Sequence, residues 1–145
     1  GGLDVDQHHT VEHTGILMEH AISKLLAERK AIRLYGQVIL PMDEVLVMTA
    51  LDLGGRPFYR DNLIFNSSRV GDFSVELFSE FFRALTNNAG MNLHFKMLDG
   101  GNTHHLIEGC FKAFARALDQ AVKPEKRLGN SPLSTKGRLS EGEDK

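Results

Sequence analysis

Apolar residues in this chain follow two rhythms. Over residues 91–98 they recur at every second position, with Met91, Leu93, Phe95 and Met97 on one side and Asn92, His94 and Lys96 on the other. That period predicts a strand with one buried face. Val38-Ile39-Leu40-Pro41 predicts a short strand closed by proline. Glu44 to Leu53, rich in Val, Leu and Thr, predicts a second strand, and Phe58 to Asn66 a third, with Phe58, Leu63 and Phe65 available to a core. Gly54-Gly55-Arg56-Pro57 is a turn between them. The short connections suggest that these three strands form an antiparallel sheet.

The other rhythm is helical. Val75, Leu77, Phe78, Phe81, Phe82 and Leu85 form a wide apolar face over a helix to about Leu85, capped by Asp72 or Ser74 and ended by Asn87-Asn88-Ala89-Gly90. Asp99-Gly100-Gly101-Asn102 is a turn, and Thr103 leads into a helix with core positions Ile107, Cys110, Phe111, Phe114, Leu118 and Ala121. A third helix is expected from His8 to Arg29, striped by Val11, Ile16, Leu17, Ile22 and Leu25, after a strand end at Gly1 to Gln7. After Pro124 the chain turns charged and rich in Gly and Ser, which reads as a tail.

Composition changes this picture little. The 145 residues carry a net charge of −2, with 41% hydrophobic and 25% charged residues. Nothing in that balance pulls towards nucleic acid or an anionic membrane, and neither is expected as a partner. The apolar runs fall short of a membrane span. The single Cys110 excludes an intramolecular disulfide and a CxxC pair, which suits a reducing, cytoplasmic setting.

The candidate chemistry lies in a motif that occurs twice. His8-His9-Thr10-Val11-Glu12 and His104-His105-Leu106-Ile107-Glu108 both read His-His-x-x-Glu at the start of an amphipathic helix. Imidazole and carboxylate ligate borderline divalent metals such as Mn, Fe or Zn. Helical spacing lets all three side chains of one motif point to one side. The bland alternative is two histidine-rich helix starts on the surface. Two copies at equivalent points favour metal, with positions left open for a substrate. Lys112 lies one turn beyond Glu108, as a solvated lysine or as a cation for an anionic substrate group. Asp43-Glu44 reads as an acid/base pair or a solvated strand start. His20 and His94 read as surface residues, Met42 and Met48 as core.

The recurrence also organises the chain. Residues 38–122 make a complete unit of three strands, helix, strand and motif helix. Residues 1–37 match only the end of such a unit, and 123–145 form the tail. A tandem duplication with an incomplete first repeat follows. A half-unit cannot bury its own stripe, so Leu17, Ile22 and Leu25 need cover from the complete unit or another subunit.

Together these segments resemble the imidazoleglycerol-phosphate dehydratase family. The resemblance rests on the two His-His-x-x-Glu motifs, Pro41-Met42-Asp43-Glu44, Asp52-Leu53-Gly54-Gly55-Arg56-Pro57, Val70-Gly71-Asp72-Phe73, Glu80 to Leu85, Asn87 to Gly90, Phe111 to Leu118, and Ser134-Thr135-Lys136-Gly137. It implies an α+β fold: a duplicated unit, each a four-stranded sheet with two helices on one face, assembled into large octahedral homo-oligomers. It implies two Mn²⁺ ions per active site, held between subunits. It implies removal of water from D-erythro-imidazole-glycerol phosphate to give imidazole-acetol phosphate, in L-histidine biosynthesis. By that resemblance His8, His9, Glu12, His104, His105 and Glu108 are metal ligands, and Glu80 falls where many members carry a further ligating His. Arg56, Lys112, Ser134 and Lys136 contact the substrate phosphate, Asp43 lies near the substrate, and Glu12 or Glu108 moves protons. Three departures stand out. The first half of the first repeat has no counterpart here, Leu34 replaces a phosphate-binding Arg, and His13 replaces an Asp. If the segment is extended, the neighbouring Arg33 points elsewhere. The alternative to an active dehydratase is a non-catalytic relative that keeps the fold, metal binding or assembly.

Overall fold

The computed structural model describes residues 18–20, 23–24 and 31–125. Two strands, β1 (Tyr35–Met42) and β2 (Val45–Asp52), pair antiparallel through a two-residue turn at Asp43-Glu44. Such a turn needs a left-handed residue, and Asp43 supplies it at φ 53°. On β2 alternate residues Val45, Val47, Thr49 and Leu51 are buried. That alternation is the mark of a sheet packed on one face.

The third strand departs from the expected arrangement. β3 (Phe58–Asp61) does not pair with β2. It crosses to the far edge and runs parallel to the last strand, β6 (Asn92–Asp99), giving the order β1-β2-β6-β3. The connection between β3 and β6 contains a whole helix, and a crossover of that length delivers parallel strands. β3 is also shorter than expected. The Asp61 carboxylate accepts the backbone N–H of Leu63 at 3.1 Å, a local turn that ends the strand well before Asn66. A small ribbon of β4 (Arg69–Val70) and β5 (Phe73–Ser74) follows.

Helix α1 (Val75–Ala89) is capped by the Ser74 hydroxyl, one of the two expected residues, and closed by left-handed Gly90. It runs past the expected end at Leu85. Helix α2 (Thr103–Ala121) begins at the Asn102 cap, whose side-chain oxygen accepts from the His105 backbone N–H. Both helices pack on the face that carries Thr49, Leu51, Leu93 and Phe95. The centre is aromatic: Phe82 lies between Phe78, Phe95, Phe111 and Phe114 with ring centroids 4.9–5.2 Å apart. Edge and tilted contacts of this kind add to the burial itself. Of the expected α2 core residues, Cys110, Phe114 and Ala121 are fully buried, while Ile107, Phe111 and Leu118 are partly so.

β1 touches α2 more closely than side chains allow. A Cβ at Gly36 would collide with the backbone carbonyl of Ala117. The Gln37 N–H donates to the Gln120 side chain at 2.9 Å, which ties the strand to the same helix. Just before β1, Leu34 adopts φ 72°, held by its N–H on the Ala121 carbonyl and by the Leu53 N–H on its own carbonyl, both at 2.9 Å. The chain is therefore not extended at Leu34. Its side chain packs against the core while Arg33 is exposed.

Of the expected first helix, residues 18–20 and 23–24 are helical, with Met18 against the core and Glu19 accepting from the Asn88 side chain at 3.1 Å. Its other residues lie outside the described ones.

Candidate metal centre

Helix α2 and the β1–β2 hairpin bring the candidate chemistry together. Three anchors position the helix start. The Asn102 cap satisfies the His105 backbone N–H at 3.0 Å. The buried Thr103 hydroxyl accepts the backbone N–H groups of Asn66 and Ser67 at 3.0 and 3.1 Å. The Asn66 amide donates to the Gly101 carbonyl at 2.6 Å. These bonds fix the first turn of α2 between the hairpin and the loop that follows β3.

From that turn the two histidines diverge. His104 Nε2 lies 3.3 Å from Glu108 Oε1, one turn on, and Glu108 Oε2 lies 3.0 Å from Lys112 Nζ, a further turn on. This row is open to solvent, with the side chain of His104 62% exposed. His105 turns instead to the hairpin. Its Nδ1 lies 2.9 Å from Glu44 Oε1 and its Nε2 3.6 Å from Asp43 Oδ2. The expectation that all three motif side chains point to one side is met for His104 and Glu108 only. Adjacent residues on a helix are about 100° apart, so neighbouring histidines aim at different targets.

The electrostatics follow the contacts. The Lys112 ammonium beside Glu108 holds that carboxyl below its ordinary range, with His104 adding to the effect. The Asn102 N–H, its own backbone N–H and His105 hold Glu44 down at about 2. Both carboxylates are therefore ionised near neutral pH.

Asp43, Glu44 and His105 form the one group of three or more ligating side chains among the described residues whose donor atoms lie within 4.8 Å of one another. His104 with Glu108 offers a second nitrogen–oxygen pair. Imidazole and carboxylate donors of this kind fit a borderline divalent cation such as Mn²⁺. Each group is too small to complete a coordination shell alone.

The remaining expected site residues are placed as follows. Glu80 is exposed on α1 and has no contact with this cluster among the described residues. Arg56 is exposed in its turn, where its carbonyl accepts from the Asn92 amide at 2.5 Å, and no ion pair holds its guanidinium among the described residues. His8, His9, Glu12, Ser134 and Lys136 lie outside the described residues. The contact of Glu44 with a motif histidine is not visible in sequence, because it depends on how the hairpin meets the helix. His94 sits on the open face of the sheet against Phe58, with ring centroids 5.5 Å apart.

The imidazoleglycerol-phosphate dehydratase family profile matches residues 1–118. The enzyme of that name from Geobacter sulfurreducens is 46% identical over 139 residues, which cover 96% of this chain and 71% of the relative. That from Heliobacterium modesticaldum is 51% identical over the same length and shares. Among solved structures, the dehydratase from Staphylococcus aureus is similar with a TM-score of 0.75 and 40% identity, covering 83% of this chain and 70% of that one. The Pyrococcus furiosus protein is similar with a TM-score of 0.70 and 30% identity, covering 86% and 69%. No described helix is long and apolar enough to cross a membrane. With the family profile matched over residues 1–118 and relatives matched over 96% of its length, the chain belongs to the imidazoleglycerol-phosphate dehydratase family, hydro-lyases of histidine biosynthesis.

Proposed function

We propose that the chain acts as a manganese-dependent dehydratase, converting D-erythro-imidazole-glycerol phosphate to imidazole-acetol phosphate. The observation that carries this reading is the divergence of His104 and His105 from one helix turn towards two separate carboxylate groups. Two outward-facing half-sites suit two metal ions, each completed by residues beyond this unit. His8, His9 and Glu12 are the proposed complement, contributed between subunits of a large homo-oligomer. A bound divalent cation supplies charge that makes the substrate's imidazole ring more acidic.

The chain's own groups then have distinct tasks. His104, His105 and Glu108 hold the metal. Glu108, kept ionised by Lys112, accepts and returns a proton. Asp43, exposed at the hairpin tip 3.6 Å from His105 Nε2, is the proposed catalytic group near the substrate. Lys112 and Arg56 present cations to the substrate phosphate, joined by Ser134 and Lys136. Glu80 is the further ligand, reaching a metal from its own exposed helix face. The cellular setting proposed is the cytoplasm.

The test is a dehydratase assay on purified, assembled protein with added Mn²⁺. Turnover of the imidazole-glycerol phosphate supports the reading. A metal-loaded assembly that gives no turnover sinks it for this chain.

A further inference from the structure

We infer that Glu44 is a positioning residue that fixes the tautomer and direction of the His105 ring. The inference rests on the proposed role of His105 as a metal ligand. A neutral imidazole binds metal through the nitrogen that lacks the proton, and the partner of the other nitrogen decides which that is. Here Nδ1 meets Glu44 Oε1 at 2.9 Å. An ionised carboxylate only accepts, so the proton sits on Nδ1 and leaves Nε2 bare. Nε2 lies 3.6 Å from Oδ2 of the exposed Asp43.

Two observations separate this role from direct ligation by Glu44. Both of its oxygens are already used: Oε1 by His105 and Oε2 by the Asn102 N–H at 2.6 Å. The carboxylate, in a side chain that is 46% exposed, is thus clamped against the start of α2. Space has also been kept for it, because a Cβ on Gly101 would collide with the Glu44 carboxylate. A side chain at that position would drive Glu44 away from the ring. The hairpin tip therefore serves as a clamp with two jaws, one on the helix backbone and one on the imidazole.

The E44Q substitution keeps the shape and breaks the logic. Its amide offers one acceptor and one donor. With the oxygen on the Asn102 N–H, the amino group faces Nδ1 and forces the proton onto Nε2. The experiment is ¹⁵N-histidine NMR on the metal-free full chain at about pH 8, where an ordinary imidazole is neutral, together with equilibrium Mn²⁺ binding. Wild type is expected to carry the His105 proton on Nδ1 and E44Q on Nε2. E44Q is expected to bind Mn²⁺ about 10- to 100-fold more weakly, with unchanged assembly mass. G101A, which keeps both residues but pushes Glu44 off the ring, is expected to shift affinity the same way. His105→Ala sets the scale. If His105→Ala binds Mn²⁺ like wild type, the ligand role itself fails. If His105→Ala loses binding while E44Q keeps it, the positioning role fails alone. Should E44Q not assemble, the wild-type spectrum decides, and a proton on Nε2 overturns the inference.

Discussion

The two ends of helix α2 differ in what holds them. Towards its C-terminal half, Ala113, Ala117 and Ala121 have no exposed surface. These small side chains are packed away from solvent, and the constraint is volume. Over its N-terminal half, His104, His105, Glu108 and Lys112 are partly or largely exposed and paired with charged groups. The constraint there is direction, set by Asn102, Thr103 and the hairpin tip. A rigid buried half aims a polar half whose charged groups remain open to further partners. Changes at one end are expected to spend themselves on folding and changes at the other on ligand binding.

The largest expected effect lies at the buried end. Gly36→Ala places a methyl group into the Ala117 carbonyl, where neither backbone can yield. A loss above ~4 kcal/mol is expected, seen as failure to recover folded protein. Phe82→Ala removes the hub of the aromatic cluster and is expected to cost about 3–5 kcal/mol in denaturant unfolding. The fraction that remains folded keeps its Mn²⁺ affinity. His104→Ala reverses the pattern, with stability changed by less than ~0.5 kcal/mol and Mn²⁺ affinity lowered more than ~100-fold. If Phe82→Ala weakens the metal as much as His104→Ala does, the division between the two ends breaks down.

How much of this was legible in the sequence depended on the same division. The strand at 91–98 and both helices follow from periodicity, because a buried face writes its own spacing. The short strand expected at Val38 to Pro41, by contrast, is not closed by proline but runs from Tyr35 to Met42 with Pro41 inside it. The parallel pairing of β3 was not legible, since residues 58–61 say nothing about which edge they will join. Ser74 and Gly90 are local signals and were readable as caps. The His-His-x-x-Glu motif was readable as ligand chemistry, but its split was not. That His105 meets Glu44 depends on a contact between residues 61 positions apart. Leu34 was unreadable for a similar reason, because its left-handed backbone is imposed by hydrogen bonds to Ala121 and Leu53.

Smaller effects sharpen the account of the buried end. Burial pushes up both the Cys110 thiol and the Tyr59 phenol, and the hydrogen bond to Asp61 raises Tyr59 further. Their neutral forms are favoured by folding. Their contribution is therefore full below the unfolded values of ~8.5 and ~10 and is lost as pH rises towards the folded values. Stability is expected to fall above about pH 8.5. In a thermal-midpoint profile Cys110→Ala should postpone that fall to about pH 10, the phenol range. The smallest predicted change is a gain. Thr49 is fully buried and its hydroxyl has no hydrogen-bond partner among the described residues. Thr49→Val is expected to stabilise by about 1 kcal/mol in urea unfolding.

The most direct test of the divided helix is an anomalous difference map at the manganese edge from crystals grown with Mn²⁺. Two separate peaks are predicted, one at His105 Nε2 and one beside His104 and Glu108. A single peak shared by both histidines of one chain, or none at either, would contradict the account.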